Sequence, residues 1–309
     1  MSIRLPRRIE EVVVRPTWPG TLPRTIEPRN LGVDYDTDWA RSRLARAVRH
    51  AVTEGVTRPV VAALSNPTIF GAEHFEAING PMIFAANHAS HLDTSVVIAS
   101  LPDRIRHRVV VAAAADYFFD RAWKAALWSL TLGTIPMERN KVDRKSADLA
   151  AQLIGDGWSV VIFPEGGRSP DGWGQEFRGG AAYLAKRCKV PVIPVHLRGV
   201  RPVLPKGGNT IRRHAVEVRF GDPLWPREDA DESGRKEDAR RFAARIERSV
   251  AVLADEAESD WWTARRRAAS GATPEFRGPQ ASPWRRAWAL PQSARRTRTD
   301  RPKSSTTPW

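Results

Sequence analysis

A short apolar run, residues 81–86, constrains the fold most, because polar residues follow it at once. The run carries no charge, and an uncharged run of this length that starts at a glycine-proline pair predicts a buried strand. His88 and Asp93 would then leave the carboxyl end of this strand. In open sheets that alternate strands with helices, ligands bind at that edge. The sequence therefore predicts that residues 87–93 carry the chemistry of the protein.

The rest of the central chain repeats this alternation of strands and helices. Further apolar runs occupy residues 108–114, 135–138, 159–163, 190–199 and 215–220, and helical patterns occupy residues 118–132, 143–154 and 236–258. Parallel strands need a crossover connection, which is usually a helix, so this alternation favours parallel pairing. We predict an α/β fold with a mostly parallel central sheet that is flanked by helices on both faces.

His88 and Asp93 are spaced so that one side chain can orient the other. If the turn after the strand begins a helix near Ser90, the carboxylate can fold back onto one imidazole nitrogen, fix its tautomer and stabilise the imidazolium. The other nitrogen is then free to take a proton from a bound hydroxyl. The chain has no Gly-x-Ser-x-Gly motif, and Cys188 is far away in sequence, so a covalent intermediate on the protein is not indicated.

A zinc site is the main alternative use of this segment. His88, His91 and Asp93 could all be ligands, but no fourth ligand stands at a familiar spacing. We therefore predict that the protein uses neither a metal nor a cofactor. His91 is expected to be structural or to form the wall of a pocket.

Two later segments place arginines beside glycines or at strand ends. Arg139 follows the run 135–138, and Arg168 follows Gly166 and Gly167. An arginine fork can bind two phosphate oxygens at once, which makes both arginines candidate phosphate ligands. Glycine allows the backbone to approach a ligand closely, so these two glycine amides could donate to a phosphate or to a developing oxyanion. The sequence does not decide between the two.

Four segments of the chain, taken in order, resemble the motifs of a known family. They are Asn87–Asp93, Gly133–Arg139, Phe163–Ser169 and Val190–Val195. Together they resemble the sequence blocks of the glycerolipid acyltransferases, the 1-acylglycerol-3-phosphate acyltransferase group, over roughly residues 70–220. The resemblance implies that His88 and Asp93 are catalytic. It also implies that Arg139 and Arg168 bind the substrate. With them we predict Glu165, Gly166 and Gly167 as substrate-binding residues.

The resemblance further implies a reaction. A fatty acyl group would move directly from acyl-CoA or acyl carrier protein to the free hydroxyl of lysophosphatidic acid, giving phosphatidic acid in phospholipid synthesis. Glu165 repels phosphate and would hold an arginine or a glycerol hydroxyl in place. Acylation of glycerol 3-phosphate or of another lysophospholipid is one alternative. A non-catalytic, basic membrane-binding protein is another.

The predicted helix at residues 118–132 is rich in aromatic residues and ends at Gly133, which is typical of a helix C-terminus. We expect its large apolar side chains to face the core; these are Phe118, Phe119, Trp123, Leu127 and Trp128. Alternatively, some of them line a groove for the acyl chain, since each buried methylene contributes about 0.8 kcal/mol.

Composition divides the chain into three parts. Residues 1–36 are rich in proline and predict an extended arm, and residues 37–259 would form the acyltransferase domain. Residues 260–309 carry tryptophan among paired arginines, prolines and serines. We expect this tail to be disordered and to contact a membrane, while nucleic-acid binding or a solvated tail without a partner are alternatives.

The domain would begin with an amphipathic helix. From a cap at Thr37 or Asp38, a stripe of four apolar residues, Leu44, Val48, Val52 and Val56, lies opposite Arg43, Arg46 and His50. The stripe indicates either a helix packed on the core or a helix at a membrane interface, whose arginines meet lipid phosphates. Pro59 is expected to end or kink it.

A net charge of +14 indicates an anionic partner. Anionic lipid and acidic acyl carrier protein both fit, and no nucleic-acid partner is expected. The single cysteine excludes an internal disulfide, no signal pattern is visible at the N-terminus, and no apolar run reaches the length of about 18 residues that spans a bilayer. These features predict a cytoplasmic protein that is peripheral on the inner face of the cell membrane.

Overall fold

The strands of the protein form one sheet at whose carboxyl edge His88 lies. A computed structural model describes residues 31–138, 144–204, 211–226 and 235–290. Within these residues there are seven strands: β1 Thr68–Phe70, β2 Ile83–Ala86, β3 Val109–Ala114, β4 Thr134–Met137, β5 Ser159–Ile162, β6 Val192–Arg198 and β7 Glu217–Phe220. Their spatial order is β1-β7-β6-β2-β5-β3-β4. β2 to β6 are mutually parallel, and only the pairing of β6 with β7 is antiparallel.

Helices cover both faces of this sheet, as predicted. In the described residues they are α1 Arg43–Val52, α2 Arg58–Ser65, α3 Glu73–Glu76, α4 Asp93–Ser100, α5 Asp103–Arg106, α6 Ala115–Phe118, α7 Ala122–Leu132, α8 Arg144–Gly155, α9 Gly180–Cys188, α10 Val200–Val203, α11 Arg235–Glu258, α12 Trp261–Ala269 and α13 Pro283–Ala289. Ile83 and Ala85 share a core cluster with α8, α9 and α11. Phe84 points the other way, into a cluster with α2 and α4. The predicted fold class is confirmed.

The N-terminal helix differs from its prediction in its cap and its length. A short 3₁₀ helix, Asp38–Arg41, comes first, and α1 is capped by Ser42, whose hydroxyl accepts from the amide of Ala45 over 3.3 Å. Pro59 does not end the helix. A wider π-type turn, Thr53–Thr57, joins α1 to α2 and accommodates the proline, whose ring would clash with the carbonyl four residues earlier in a regular α-helix.

The apolar stripe of this helix faces outward. Leu44 is 76% exposed and Val56 is 56% exposed, while Ala45 and Arg49 are buried. Arg49 explains the orientation, because its Nε donates to the carbonyl of Leu130 and its Nη2 to that of Ser129, both over 2.9 Å. These carbonyls belong to the last turn of α7, where no helical N–H remains to satisfy them. The interpretation of the stripe as core packing is therefore wrong.

Helix α7 also turns some of its large side chains outward. Gly133 ends it in the left-handed conformation, with φ of 67°, as predicted. Phe119 is fully buried, but Trp123 and Leu127 are exposed, so the expectation that all five apolar residues face the core is wrong. The helix is interrupted between α6 and α7. Helix α7 then packs through the small residues Ala125 and Ser129, which are fully buried.

The described part of the predicted disordered tail contains two helices, α12 and α13. Asp260 caps α12 by accepting from the amide of Thr263 over 2.9 Å, and Arg267 pairs with Asp255 of α11 over 2.6 Å.

Residues 1–30 and 291–309 lie outside the described residues, so the three-part division of the chain stays a prediction. Every helix in the described ranges is too short or too polar to cross a lipid bilayer.

Candidate active site

The motifs that follow β2 and β5 meet at one edge of the sheet because these strands are parallel. Ala85 pairs with Ile162, so that the two strands are offset by 77 residues. The same offset continues beyond the strands, where the backbone N–H of His88 donates to Oε1 of Glu165 over 2.9 Å. The first and third sequence motifs are therefore in direct contact.

The imidazole of His88 is oriented by the carboxylate of Asp93. Its Nδ1 lies 2.8 Å from Oδ2 of Asp93. That oxygen also accepts from the amides of Ala89 and Ser90 over 2.7 and 2.8 Å, and the aspartate is completely buried. Helix α4 begins at Asp93, three residues later than the predicted start near Ser90. The carboxylate reaches the imidazole, as the spacing predicted.

This contact decides which imidazole nitrogen is basic. A carboxylate can only accept, so Nδ1 of His88 carries the hydrogen and Nε2 keeps its lone pair. No hydrogen bond to Nε2 is found among the described residues, and the side chain is 19% exposed. The ring of Phe163 stacks on the imidazole, with centroids 4.3 Å apart and an angle of 26°. Nε2 of His88 is thus held in place and open to a substrate.

The backbone around His88 is fixed from both neighbouring strands. The carbonyl of His88 accepts from the amide of Ser169 over 2.8 Å, on the β5 side. On the β6 side, the side chain of Asn87 donates to the carbonyl of Leu197 over 3.1 Å and accepts from its amide over 2.7 Å. Asn87 therefore substitutes for a ladder hydrogen-bond pair at the point where β2 ends.

Glu165 is buried and supports the backbone of the predicted base. Besides the amide of His88, its carboxyl accepts from Nε2 of Gln175 over 3.3 Å. Burial raises the pKa of Glu165 to about 8, with a further contribution from the charge of Asp93, against the hydrogen bonds from His88 and Gln175. The carboxyl is therefore largely protonated at neutral pH. The sequence predicted a contact with an arginine or a hydroxyl, whereas the contacts described here are to a backbone amide and a glutamine.

The two glycines of the third motif differ in their surroundings. The amide of Gly166 donates to the carbonyl of Phe163 over 3.0 Å, so it is engaged in the turn. Gly166 has φ of 72°, and a Cβ there would lie 2.8 Å from the guanidinium of Arg178. Around Gly167 there is open space, with nothing within 4 Å of a Cβ position. A ligand can therefore approach the backbone more closely at Gly167 than at Gly166.

Arg168 reaches the same edge of the sheet as His88. Its guanidinium donates to Nε2 of His91, again across an offset of 77 residues, and lies 6.0 Å from the ring centre of Tyr117. Burial lowers the pKa of His91, and the charges of Arg168 and His88 lower it further, which keeps the ring neutral and able to accept. His91 is thus part of the site. In the sequence, its spacing of three residues from His88 was the signal that could have indicated this role.

Arg139, the second predicted phosphate ligand, lies outside the described residues. The strand before it, β4, is parallel to β3 and ends at Met137, so the chain leaves β4 at the same edge of the sheet as His88. The described structure thus brings together His88, Asp93, Glu165, Gly166, Gly167 and Arg168. Sequence reasoning missed the contributions of Phe163, Ser169 and Gln175, which depend on contacts between strands.

We expect Glu165→Gln to change how the free energy of unfolding depends on pH. The carboxyl has a pKa of about 8 in the folded protein and an ordinary value of 4.5, so between these values the folded protein holds a proton that the unfolded chain has lost. Relative to the glutamine variant, wild-type stability should fall by up to about 1.4 kcal/mol per pH unit across this range and then level off. Urea unfolding at several pH values measures the difference. A difference that is constant with pH would contradict the assignment.

Comparisons with known proteins place this site in a family. A sequence model of the acyltransferase family matches residues 66–198. A chloroplastic 1-acyl-sn-glycerol-3-phosphate acyltransferase of Brassica napus is 34% identical over 103 residues, covering 32% of this chain and 30% of that protein. A protein of the same name from Streptococcus pneumoniae is 30% identical over 98 residues, covering 31% of this chain and 34% of that protein. The chain thus spans about a third of the length of the curated relatives it matches.

A solved structure shares the fold. The 1-acyl-sn-glycerophosphate acyltransferase of Thermotoga maritima aligns with 66% of this chain and 82% of its own, with a TM-score of 0.50 and 21% identity. The likeness agrees with the mostly parallel sheet described above. The resemblance that the four motifs predicted is confirmed, and residues 66–198, which contain every predicted site residue, form a domain of the acyltransferase family.

Proposed function

We propose that this protein transfers a fatty acyl group from a thioester donor to the free hydroxyl of lysophosphatidic acid, giving phosphatidic acid. The observation that carries the proposal is the pair of His88 and Asp93, in which Nδ1 is bound and Nε2 is open, next to the guanidinium of Arg168. A base beside a fixed positive charge suits an acceptor that has both a hydroxyl and a phosphate. The names of the matched relatives agree with this choice.

The proposed mechanism is direct transfer between two bound substrates. Nε2 of His88 takes the proton of the acceptor hydroxyl, and the resulting oxygen nucleophile attacks the carbonyl carbon of the thioester. The C–S bond then breaks, and the thiolate leaves with the proton that His88 returns. Asp93 stabilises the imidazolium between these two steps. The donor is acyl-CoA or acyl carrier protein, which present the same thioester.

Two groups at the edge of the sheet would bind charge that the substrates carry. We assign the acceptor phosphate to Arg168, and to Arg139 on the strength of the family resemblance. The side of Gly167 where a Cβ would stand borders open space, and we assign its amide as a donor to the phosphate or to the oxyanion that forms during attack. Glu165, being protonated and buried, adds no negative charge that would repel the phosphate.

We further propose that the protein is peripheral and binds the inner face of the cell membrane. Its acceptor, a lysophospholipid, resides in that membrane. The outward-facing stripe supports this proposal, because Leu44 and Val48 of α1 and Val56 of the π-type turn are exposed. Val60 of α2 is exposed as well. Arg43 and Arg46 are exposed beside the stripe, and the net charge of +14 favours anionic lipid. The stripe adjoins α7, whose exposed Trp123 and Leu127 would extend the apolar surface.

His88→Ala should remove the base and lower kcat by about 10²- to 10⁴-fold while the fold is retained, because the backbone bonds of residue 88 to Glu165 and Ser169 do not need the imidazole. Thiol release from acyl-CoA with and without lysophosphatidic acid measures the rate, and circular dichroism checks the fold. His50→Ala, which alters an exposed histidine on α1, is the matched control and should keep full activity. Near-normal transfer by His88→Ala would refute the proposed role.

Arg168→Ala should weaken binding of phosphorylated acceptors in particular. Loss of a charged hydrogen bond to phosphate costs about 1.5–3 kcal/mol, so kcat/KM for lysophosphatidic acid should fall about 10- to 100-fold. With a monoacylglycerol, which lacks the phosphate, the same substitution should have little effect. Arg187→Ala serves as control, because Arg187 lies in the last turn of α9 and pairs with Asp148 over 2.6 Å. An equal loss with both acceptors would argue against the phosphate role.

Substitution of Leu44 and Val48 by serine should weaken membrane binding about tenfold or more, because two apolar side chains would no longer leave water. Sedimentation with vesicles that contain anionic phospholipid measures the bound fraction. Tyr183→Ser is the matched control, since Tyr183 is exposed on α9, on the other face of the sheet from α2. Unchanged sedimentation of the double variant would exclude this surface.

A further inference from the structure

The segment that follows α12 packs against a loop of the site. We define the strap as residues 272–290, which contain α13 and lie beyond the family match that ends at residue 198. We define the site loop as residues 168–177, which connect the third motif to the chain before α9. The loop has no helix or strand of its own, so its conformation depends on what contacts it.

The site loop is bonded directly to the predicted catalytic machinery. Its Ser169 amide donates to the carbonyl of His88 over 2.8 Å. Its Gln175 donates to the carboxyl of Glu165 over 3.3 Å and to the carbonyl of Gly167 over 3.0 Å. Arg168, the proposed phosphate ligand, is the first residue of the loop. The position of the loop therefore sets the position of these groups relative to His88.

The strap holds the loop through polar contacts. Nε of Arg286 donates to Oδ2 of Asp171 over 2.8 Å, and the indole of Trp173 donates to the carbonyl of Arg286 over 2.9 Å. The amide of Gly174 donates to the carbonyl of Phe276 over 3.1 Å. Arg286 also donates to two carbonyls of the strap itself, at 2.9 and 3.1 Å, so its guanidinium is fixed before it meets the loop.

The two segments also fit together sterically. The ring of Phe276 covers Gly174 so closely that a Cβ there would lie 2.1 Å from the ring. In the other direction, the indole of Trp173 covers Gly278, where a Cβ would lie 2.2 Å from it. Phe276 also meets Phe177 edge to face, with centroids 5.8 Å apart. Each segment therefore supplies a glycine to the aromatic ring of the other.

Helix α11 anchors both segments at one residue. The carboxylate of Glu247 accepts from Arg277 of the strap over 2.7 and 2.9 Å, and from the amide of Phe177 at the end of the loop over 2.9 Å. The strap is thus attached to the core of the domain as well as to the loop. The site loop and the strap are therefore bonded to the same carboxylate of α11.

From these contacts we propose that the strap positions the site loop, and that Arg286 is a positioning residue for acyl transfer. This inference rests on the proposed function for its kinetic consequences. Asp93 and α4 hold the imidazole of His88 independently of the strap. Release of the strap would therefore leave the base intact but let Ser169 and Arg168 move away from it. The acceptor would be bound less tightly and less well aligned.

Arg286→Met tests the proposal. We expect kcat/KM for lysophosphatidic acid to fall about tenfold, with a higher KM for the acceptor and an unchanged KM for acyl-CoA, because misplacement by about 1 Å is costly for an oriented reaction. Loss of folded protein alone would lower the apparent kcat without changing the acceptor KM. Arg286→Lys, which keeps the charge next to Asp171, should restore part of the loss. An unchanged acceptor KM in Arg286→Met would overturn the proposal.

Arg285→Met is the matched control. Arg285 is the neighbouring residue of α13 and lies over the ring of Trp284, 5.1 Å from its centre, so its loss should leave both kinetic constants unchanged. Asp171→Asn removes the partner charge from the loop side, and it should reproduce the effect of Arg286→Met without adding to it in the double variant. Additive losses would show that the two residues act separately and would also overturn the proposal.

Amide hydrogen exchange gives a readout that does not need activity. Peptides that cover residues 86–93 and 166–177 should exchange faster in Arg286→Met than in wild type, and Arg285→Met should match wild type. Unchanged exchange in Arg286→Met would refute the positioning role. If the wild-type protein failed to acylate lysophosphatidic acid but showed this exchange pattern, the proposed function would fail while the strap would stand.

Discussion

The hydrogen bond from the backbone of His88 to the buried carboxyl of Glu165 joins the two halves of the candidate site. It exists because β2 and β5 are parallel and keep one register beyond their ends. A shift of this register by one residue would leave Oε1 of the buried carboxyl without its donor, which costs about 1–3 kcal/mol. The pairing of these two strands therefore fixes the site as firmly as it fixes the core.

Two buried carboxyl groups contact different parts of His88. Asp93 accepts three hydrogen bonds, one of them from the imidazole, and so acts on the side chain of His88. Glu165 accepts from the amide of His88, and its pKa is raised by burial and by Asp93. The carboxylate of Asp93 is stabilised by these hydrogen bonds, and the raised pKa of Glu165 favours its neutral form. Arg168, which contacts His91, lies at the same edge of the sheet as these two carboxyl groups.

Two segments outside the residues matched by the family model are attached to the domain through arginines. On the N-terminal side, Arg49 points inward to cap α7 and thereby turns Leu44 and Val48 toward solvent. On the C-terminal side, the strap covers the site loop and joins it to Glu247 of α11. In both arrangements an arginine donates to carbonyls or to a carboxylate of the domain. Neither arginine lies within the residues matched by the family model.

The fold class, the pairing of His88 with Asp93 and the end of α7 at Gly133 could all be predicted, because each follows from local spacing or from the alternation of apolar runs. The partner of Glu165, the outward direction of Leu44 and Trp123, and the packing of the strap on the site loop could be seen only in the folded chain. These features join residues that are 77 to 115 positions apart, and periodicity within one element carries no information about them.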